Sequence, residues 1–266
     1  MNITGFVHES IVPMRKTAAH SAEMVTQTFF GDLVRIMDKY AGWYHIRAMD
    51  DQYEGWVPNS MIEPVSEAFL APDQDFLMVK DLVAPCKVKR QGQESTQYLC
   101  RGARFPKMNY RENKDELLFK LGEIEFRIQE HYLTEPLPAQ PAAIAKTAYD
   151  YLNVPYMWGG KSPFGADCSG FTQMLFRMHG ILLKRDSYQQ ATQGEVVTYA
   201  DREPGYLAFF HNQYGRVSHV GYLLSRDTII HGSGRVRIDR FTPQGIYHTE
   251  LKTLTHRLHS LRNLLG

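Results

Sequence analysis

The residue best suited to act as a nucleophile is the cysteine in the stretch ADCSGF, at positions 166–171. Asp167 is a favourable helix N-cap residue, and an apolar stripe begins just after Cys168. We therefore expect Cys168 in the first turn of a helix, where the backbone dipole favours negative charge and should lower the thiol pKa. The glycine-rich approach WGGKSPFGA would leave the Cys168 N–H accessible as an oxyanion donor. A free cysteine often packs as a small buried hydrophobic residue, so a nucleophile needs a base as well.

Two histidines downstream could supply that base. His219 lies in RVSHVGYLL and His231 in TIIHGS, and the residues SRD separate the two segments. A hairpin that turns about Ser225 would make the histidines direct cross-strand partners on one face, with Cβ atoms about 5 Å apart. One imidazole would then face the thiol while the other holds its tautomer, although a one-residue register slip would destroy this arrangement. A zinc site with Cys-His-His ligands is the alternative, but structural zinc usually takes four ligands from closer sequence pairs.

The elements that must position these residues begin at Pro141. The stretches PAAIAKTAYDYLN, SGFTQMLFRMHG and RDSYQQATQ read as helices, the second with apolar residues at helical spacing and a glycine at its end. Four strand-like runs follow, namely GYLAFFH, RVSHVGYLL, TIIHGS and VRIDRF. Helices first and an antiparallel sheet afterwards indicate an α+β domain over residues 141–266.

The first half of the chain has a different pattern. Short alternating segments separated by Gly, Asp and Pro fill residues 3–65 and predict a small β-barrel, with Trp43 and Trp56 in its core. The stretch CRGARFPKMNY repeats FFGDLVRIMDK weakly, but neither tryptophan recurs. We predict two modules, at 1–65 and 74–136, bounded by the linkers EPVSEAFLAPD and TEPLPAQP.

Composition gives no support for several classes of partner. The 266 residues include 30 Lys and Arg against 29 Asp and Glu, so charge gives no reason to expect nucleic acid or an anionic membrane. Charges interrupt every apolar run, and the first residues lack a signal-peptide pattern. The chain as given is expected to be cytoplasmic, or periplasmic or secreted if a leader has been removed. Three cysteines do not make a disulfide framework, although a Cys86–Cys100 bridge stays open.

The motifs together resemble a known family. YMWGGKSPFGADCSGF, GYLAFF, SHVGYLL and IHGSGRVRID are similar, in sequence and order, to the NlpC-type (NlpC/p60) cell-wall peptidases, which are papain-like cysteine enzymes. The segments around Gly31, Gly42-Trp43-Tyr44 and Gly55-Trp56-Val57 resemble the bacterial SH3-like (SH3b) module. The resemblance implies a multidomain fold of two small SH3-like β-barrels followed by an α+β papain-like domain with an antiparallel sheet.

The resemblance also implies roles for individual residues. Cys168 would be the nucleophile, His219 the base and His231 the orienting residue of a Cys-His-His triad. Substrate-binding positions would be Tyr156, Trp158, Asp167, Ser169, Arg185, Asp186 and Ser187. Tyr156 would act as an oxyanion or positioning group, or else is simply a buried aromatic residue. The Arg-Asp-Ser stretch would line the substrate groove, or else is a helix cap with solvated charges.

Tandem SH3-like modules before this domain resemble the γ-D-glutamyl-L-diamino acid endopeptidase subgroup. An amine in the substrate needs a carboxylate partner, for which Asp186 is a candidate. By resemblance Glu9 and Tyr44 of the first module are further candidates for an amine pocket, or else a solvent-facing strand residue and a core aromatic. One departure is Tyr206, in Gly-Tyr-Leu, where the family usually has Gly-Asp-Leu. We expect altered local hydrogen bonding and retained activity.

The resulting hypothesis is a cysteine peptidase that cuts short muropeptides between γ-D-glutamate and L-lysine or meso-diaminopimelate. It would act through a thioester acyl-enzyme without metal or cofactor, on peptides with a free N-terminal L-alanine, in murein peptide recycling. Two alternatives stay open. The domain could hydrolyse another bond of intact peptidoglycan, or the chain could be a non-enzymatic wall-peptide-binding protein.

Overall fold

The computed structural model describes residues 3–66, 76–107, 111–113 and 115–266. The chain divides into two compact units, Met1–Pro136 and Leu137–Gly266. The division falls within the proline-rich stretch TEPLPAQP. Most of the other linker, from residue 67 onwards, lies outside the described residues.

The first unit opens with one antiparallel sheet of seven strands, in the order β3-β2-β6-β5-β4-β1-β7. Inward-facing residues alternate along β2 and β4, so that Val12, Met14, Val34 and Ile36 share one apolar core. The strands are β1 Ile3–Val7, β2 Ile11–Arg15, β3 Met24–Phe29, β4 Leu33–Tyr40, β5 Trp43–Ala48, β6 Glu54–Pro58 and β7 Ile62–Val65.

The second strand group of this unit repeats the pairing of the first. β1 pairs with β4 and β7, and β8 pairs likewise with β11 and β15. A short 3-10 turn precedes the last strand in both groups, at Asn59–Met61 and Glu130–Tyr132. The strands are β8 Phe76–Val79, β9 Val83–Arg90, β10 Gln93–Cys100, β11 Arg104–Pro106, β12 Arg111–Asn113, β13 Glu116–Leu121, β14 Ile124–Gln129 and β15 Leu133–Thr134.

A cluster of phenylalanines joins the two strand groups of the first unit. Phe30 lies at its centre, with ring centroids 5.4 Å from Phe6 and 4.9 Å from Phe126. The backbones of the two strand groups lie close together here, because the N–H of Arg104 donates to the Phe30 carbonyl at 2.9 Å. Gly31 follows with φ +82°, and a Cβ there would lie 1.8 Å from the Arg104 carbonyl oxygen. The cluster members, all fully buried, are Phe6, Phe30, Phe105, Phe119 and Phe126.

The two tryptophans of the first strand group differ in their surroundings. Trp43 is buried, as predicted, and its ring packs against His20. Trp56 is only half-buried and stacks on His45 at 5.0 Å, with Tyr40 beside it. The prediction that Trp56 is a core residue was wrong, because its strand directs it away from the apolar side that holds Val57.

The second unit places helices before a sheet, as the sequence predicted. Its strands, in the order β18-β24-β19-β20-β21-β22-β23, are antiparallel throughout. Its elements are α1 Pro141–Tyr149, β16 Lys161–Ser162, β17 Gly165–Ala166, α2 Cys168–Arg177, α3 Ser187–Gln190, β18 Glu195–Val197, β19 Leu207–His211, β20 Val217–Ser225, β21 Thr228–Ser233, β22 Arg235–Thr242, β23 Gly245–His248 and β24 Thr253–Asn263.

The sheet of the second unit closes on itself because β24 pairs with β23 as well as with β19. For the site, the placement of β24 matters: it pairs with β19, the neighbour of β20, and no sequence signal predicted this. Helix α2 packs against β20 and β21, and every one of its ten residues is buried. Tyr206, the departure from the family pattern, packs against the apolar cluster of Phe210 and Phe241.

All three cysteines are free thiols. Cys86 faces Gln97 across the β9–β10 pair and Cys100 faces Val83, so the bridge left open by the sequence does not form. Over the described ranges, no helix combines the length and apolar character that a bilayer crossing needs.

Candidate active site

Cys168 is the first residue of α2, as predicted. The Asp167 carboxylate caps the helix by accepting the N–H of Gly170 at 2.7 Å. Gly170 itself leaves no room for a side chain, because a Cβ there would lie 2.2 Å from the Gly160 carbonyl oxygen. The glycine-rich approach therefore packs tightly against the helix start and fixes the thiol in place.

The thiol of Cys168 is protonated at neutral pH, contrary to the expectation of a lowered pKa. Only 6% of the residue is exposed. Burial raises the pKa of Cys168 to about 12, and the neighbouring Asp167 carboxylate adds to this. Backbone hydrogen bonds at Val220 and Ser169 and the charge of Arg185 act in the opposite direction. Burial is the largest effect, because a thiolate loses its hydration in this interior.

The helix cap is itself neutralised by a buried arginine. The Arg185 guanidinium donates to both oxygens of Asp167, at 3.1 and 2.6 Å, and to the Ser169 hydroxyl at 2.9 Å. Arg185 is 1% exposed, so the alternative of a solvated charge is wrong for this residue. Its place in a substrate groove stays a prediction, as do those of Asp167 and Ser169.

The rest of the Arg-Asp-Ser stretch begins α3. Asp186 is its N-cap residue, and the Gln189 side chain accepts the Asp186 N–H at 3.1 Å. Ser187 is buried as the first residue of the helix, whereas Asp186 keeps partial exposure. The helix-cap alternative is thus correct for Asp186, and a carboxylate at the surface is still compatible with its predicted role.

The histidines meet, although in a different register from the one predicted. Gly221, not His219, lies directly opposite His231. The hairpin turns after Ser225, which faces Thr228, and an irregularity between Leu223 and Ser225 changes the register by one residue. The resulting pairing differs from the predicted one by two residues, which keeps both histidines on the same face. Nε2 of His219 lies 2.8 Å from Nδ1 of His231, and the ring planes are at 87°. The direct cross-strand pair was wrong, and the diagonal pair brings the rings together instead.

Gly221 makes room for this diagonal pair. A Cβ at Gly221 would lie 2.9 Å from the Cβ of His231 and 2.7 Å from the Cδ1 of Ile229. The residues next to the two histidines reach Cys168: the Val220 backbone hydrogen bonds to the thiol, and a Cβ at Gly232 would be 3.4 Å from the Cys168 Cα. The histidine pair therefore lies on the strands that contact the start of α2.

Two charged residues beside His231 were missed by sequence reasoning. Nε2 of His231 lies 2.9 Å from Oδ2 of Asp239, and Arg237 donates to Oδ1 at 2.8 Å. Both belong to β22, in which Arg237 is directly opposite His231. The signal was available in VRIDRF, since residues 237 and 239 alternate onto the face that holds residue 231.

A third histidine, His256, was also missed by sequence reasoning, and its ring packs on that of His219. The ring of His256 stacks on that of His219 with centroids 4.1 Å apart and planes at 25°. Burial lowers the pKa of His256 to about 4, with the charges of His231 and Arg237 contributing. The pKa of His219 is lowered well below its usual value, first by burial and then by His231 and His256. Both rings are therefore neutral at pH 7, and His219 can accept a proton.

The two aromatic residues before the helix, Tyr156 and Trp158, lie at the surface. Tyr156 is 36% exposed, so it is not the fully buried aromatic of the alternative interpretation. Burial raises the pKa of Tyr156 to about 12, and the charge of Cys168 is the next cause. The phenol stays protonated and can donate a hydrogen bond. Trp158 is 63% exposed and its predicted substrate contact stays a prediction.

Glu9 and Tyr44 belong to the first unit, where each already has a partner. Glu9 forms an ion pair with Arg90 at 2.8 Å, and hydrogen bonding from His8 is the main cause of its lowered pKa. Tyr44 packs against the apolar core of the first strand group. Their roles in an amine pocket stay predictions. In the described part of the chain, no three His, Cys, Asp or Glu side chains are arranged to hold a metal ion.

Comparison with known families identifies both halves of the chain. A model described as the NlpC/P60 family matches residues 153–255, and one described as the bacterial dipeptidyl-peptidase Sh3 domain matches residues 14–62. The second unit is an NlpC/P60 domain. The first unit begins with a bacterial SH3-type domain, and the match to a cysteine peptidase family supports a hydrolase.

Similar proteins carry peptidase names. A γ-D-glutamyl-L-lysine dipeptidyl-peptidase of Bacillus cereus is 26% identical over 223 residues, 79% of this chain and 67% of that protein. One of Bacillus subtilis is 38% identical over 90 residues, 33% of this chain and 30% of that protein. Dipeptidyl-peptidase 6 of Lysinibacillus sphaericus is 30% identical over 125 residues, 44% of this chain and 43% of that protein. The chain thus spans under half the length of the latter two.

Solved structures show the same fold. An NlpC/P60 family protein from Bacillus cereus has a TM-score of 0.83 at 20% identity, over 99% of this chain and 100% of that one. An NlpC/P60 endopeptidase from Photobacterium damselae subsp. piscicida has a TM-score of 0.73 at 18% identity, over 98% of this chain and 73% of that one. At these identities the likeness establishes the fold alone.

Proposed function

We propose that this protein is a cysteine peptidase that cleaves the bond between γ-D-glutamate and the diamino acid of short cell-wall peptides. One observation carries the proposal: Cys168 begins a capped, buried helix against the two strands that bear the hydrogen-bonded His219–His231 pair. A nucleophile, a base and an orienting group are the components that acyl transfer requires.

The proposed reaction starts from a neutral thiol and a neutral imidazole. Nε2 of His219 is engaged by His231, so Nδ1 is the nitrogen that takes the proton of Cys168. The sulfur then attacks the γ-carbonyl carbon of the glutamate residue. The backbone N–H of Cys168 and the Tyr156 hydroxyl are the donors available for the developing oxyanion.

The second half of the reaction returns the enzyme to its starting state. The His219 imidazolium gives its proton to the leaving amine of the diamino acid, which leaves a thioester on Cys168. Water, deprotonated by His219, hydrolyses that thioester and releases L-Ala-γ-D-Glu, and the His219 imidazolium returns the proton to the Cys168 sulfur. No bond-making step in this scheme needs a metal or an organic cofactor.

The substrate class rests on similarity. Relatives named γ-D-glutamyl-L-lysine dipeptidyl-peptidase, together with the SH3-type domain in front, favour short peptides with a free N-terminal L-alanine. Asp186 is our candidate partner for that ammonium group, with Glu9 and Tyr44 as further candidates. The second strand group of the first unit, in which β8, β11 and β15 repeat the pairing of β1, β4 and β7, would be a divergent second SH3-like module. Trimming of free peptides is the chemistry of murein recycling.

The test is product analysis by mass spectrometry. L-Ala-γ-D-Glu-L-Lys and its meso-diaminopimelate counterpart should yield L-Ala-γ-D-Glu, and Cys168→Ala should abolish turnover while Cys86→Ala retains it. The N-acetylated peptide should be cleaved at least about 10-fold more slowly, because a charge-assisted hydrogen bond is worth about 1.5–3 kcal/mol. Asp186→Asn should narrow that difference.

Other outcomes would select a different function. Release of fragments from intact sacculi without tripeptide cleavage would indicate a hydrolase for another wall bond. Peptide binding without turnover would indicate a binding protein. Equal rates on free and acetylated peptides would contradict amine recognition while leaving the peptidase proposal intact.

A further inference from the structure

Asp239 terminates a row of hydrogen-bonded side chains that runs from β22 into the site. Its Oδ2 lies 2.9 Å from Nε2 of His231, and Nδ1 of His231 lies 2.8 Å from Nε2 of His219. Its Oδ1 accepts from Arg237 at 2.8 Å. The Asp239 side chain is only 3% exposed, so both of its oxygens are committed within the protein.

The chemistry of these groups dictates where the protons lie. A carboxylate can only accept, so Nε2 of His231 must carry the proton. A neutral imidazole has one donor and one acceptor, which makes Nδ1 of His231 an acceptor and Nε2 of His219 the donor to it. Nδ1 of His219 is then left with a lone pair. The Asp239 carboxylate thus determines which nitrogen of each histidine carries the proton.

We propose that Asp239 is a positioning residue that sets the tautomers of His231 and His219 and so keeps Nδ1 of His219 unprotonated. The inference rests on the proposed function, in which this nitrogen takes the proton of Cys168. Asp239 does not touch the substrate or the thiol in this scheme, and it acts through two imidazoles.

The surroundings of Asp239 keep it ionised. Burial by itself would raise its pKa, but hydrogen bonds from His231 and Arg237 outweigh burial and hold the pKa below its usual value. The charged and titratable groups around His231 come from every strand packed on it: His219 on β20, Arg237 on β22, His248 on β23 and His256 on β24. Among the described residues, Asp239 is the anion whose contact with His231 favours a protonated Nε2.

Two aromatic rings, those of His256 and Phe210, also pack against the His219 ring and limit its rotation. His256 stacks on one face at 4.1 Å, and Phe210 lies 5.8 Å away at an angle of 46°. Rotation of the His219 ring by half a turn would break its hydrogen bond to His231 and exchange the two nitrogens. Packing and tautomer control therefore act on the same atom, Nδ1.

The decisive variant is Asp239→Asn, which keeps the shape and removes the charge. Arg237 has only donors, so it will take the asparagine oxygen and turn the amide NH2 toward His231. The row then reverses, and the proton arrives on Nδ1 of His219. We expect kcat on L-Ala-γ-D-Glu-L-Lys to fall about 10²–10⁴-fold with little change in KM, as for a wrong tautomer in a serine protease triad.

A matched control and a rescue make the test specific. Asp227→Asn removes a carboxylate that pairs with Arg202 at 2.8 Å and is 71% exposed, and it should leave kcat unchanged. In the double variant Asp239→Asn with Arg237→Gln, the asparagine oxygen can turn back toward His231. Part of the lost kcat should return. A purely structural role for Asp239 would predict a further loss instead.

Two readouts work without any peptide and separate this inference from the proposed function. Alkylation of Cys168 by iodoacetamide at pH 7 should slow at least about 10-fold in Asp239→Asn, and its pH profile should shift upward, because the base is lost. In the ¹⁵N NMR spectrum of the wild-type protein, both histidines should carry the proton on Nε2.

The outcomes are distinguishable. A wild-type spectrum with a proton on Nδ1 of His219 would overturn the inference even if no variant folds. Unchanged kcat and alkylation in a folded Asp239→Asn protein would overturn it too. If the tripeptide is not cleaved but alkylation and the tautomers follow Asp239 as described, then the substrate assignment fails and the positioning role stands.

Discussion

At the level of single residues, burial is the main cause of the pKa shifts in this site. Burial raises the pKa of the Cys168 thiol and lowers that of the His219 imidazole, so the resting pair is neutral on both sides. A neutral thiol and imidazole avoid the cost of burying two charges in a low-dielectric interior. The thiol must therefore lose its proton to His219 during the reaction, as in general-base catalysis, because no thiolate is present beforehand. This changes the chemistry that the helix position of the cysteine had suggested.

The histidines also link stability to pH. His219, His231 and His256 all have lowered pKa values when folded, so between their folded values and about 6.5 the unfolded chain binds more protons. Stability is therefore fully present above pH 6.5 and decreases as the pH falls. Urea unfolding at pH 7, 6 and 5 should show this decline, and His256→Phe should flatten it by up to about 1.4 kcal/mol per pH unit.

A slope that is unaltered in His256→Phe would contradict the assignment of His256 as a buried neutral ring.

At the level of secondary structure elements, a single ion pair ties the start of α2 to the segment before α3. Arg185 and Asp167 are 1% and 8% exposed in their side chains and meet at 2.6 Å. Removal of one member would leave the other charged and buried. The ion pair therefore maintains the position of the nucleophile as well as the packing of two helices.

We predict that Arg185→Met lowers the free energy of unfolding by about 3–5 kcal/mol, because the Asp167 carboxylate loses its buried partner. The surface pair Arg226–Glu203, 49% and 52% exposed, supplies the comparison. Arg226→Met should cost about 0–1 kcal/mol. Urea unfolding at pH 7 measures both, and equal losses in the two variants would rule out a special role for the Arg185 pair.

At the level of the whole molecule, the two strand groups of the first unit share one aromatic core and are not independent modules. Phe30 of the first strand group contacts Phe105, Phe119 and Phe126 of the second, so neither group has a complete core without the other. Small β modules of about 60 residues bury little surface on their own. A shared aromatic core is therefore expected to make the two groups unfold together.

Phe30→Ala should destabilise the first unit by about 3–5 kcal/mol, since it removes a fully buried ring. Hydrogen exchange in the full chain should reveal weakened protection both in β4 and in β13, which belong to different strand groups. Tyr40→Ala, at a ring that is 65% exposed, should stay within about 0.5 kcal/mol of the wild type. Loss of protection confined to β4 would show that the groups unfold independently.

The sequence by itself determined the local features of the site. The cap Asp167, the first-turn position of Cys168 and the strand identity of both histidine segments follow from capping chemistry and side-chain periodicity, which act over a few residues. The shared face of His219 and His231 was also predictable, because alternation survives any even shift of register. Even Arg237 and Asp239 could have been placed on that face by the same rule.

Only the tertiary structure decided how these features combine. The diagonal histidine pair depends on where the β20–β21 hairpin turns and on Gly221, and His256 reaches His219 from β24, which pairs with β19, the neighbour of β20. Arg185 could be read as a surface charge until folding placed it against Asp167. The thiol pKa depends on how much water the surrounding residues exclude. Periodicity specifies the face of each strand, whereas register, closure and desolvation arise from contacts between residues distant in sequence.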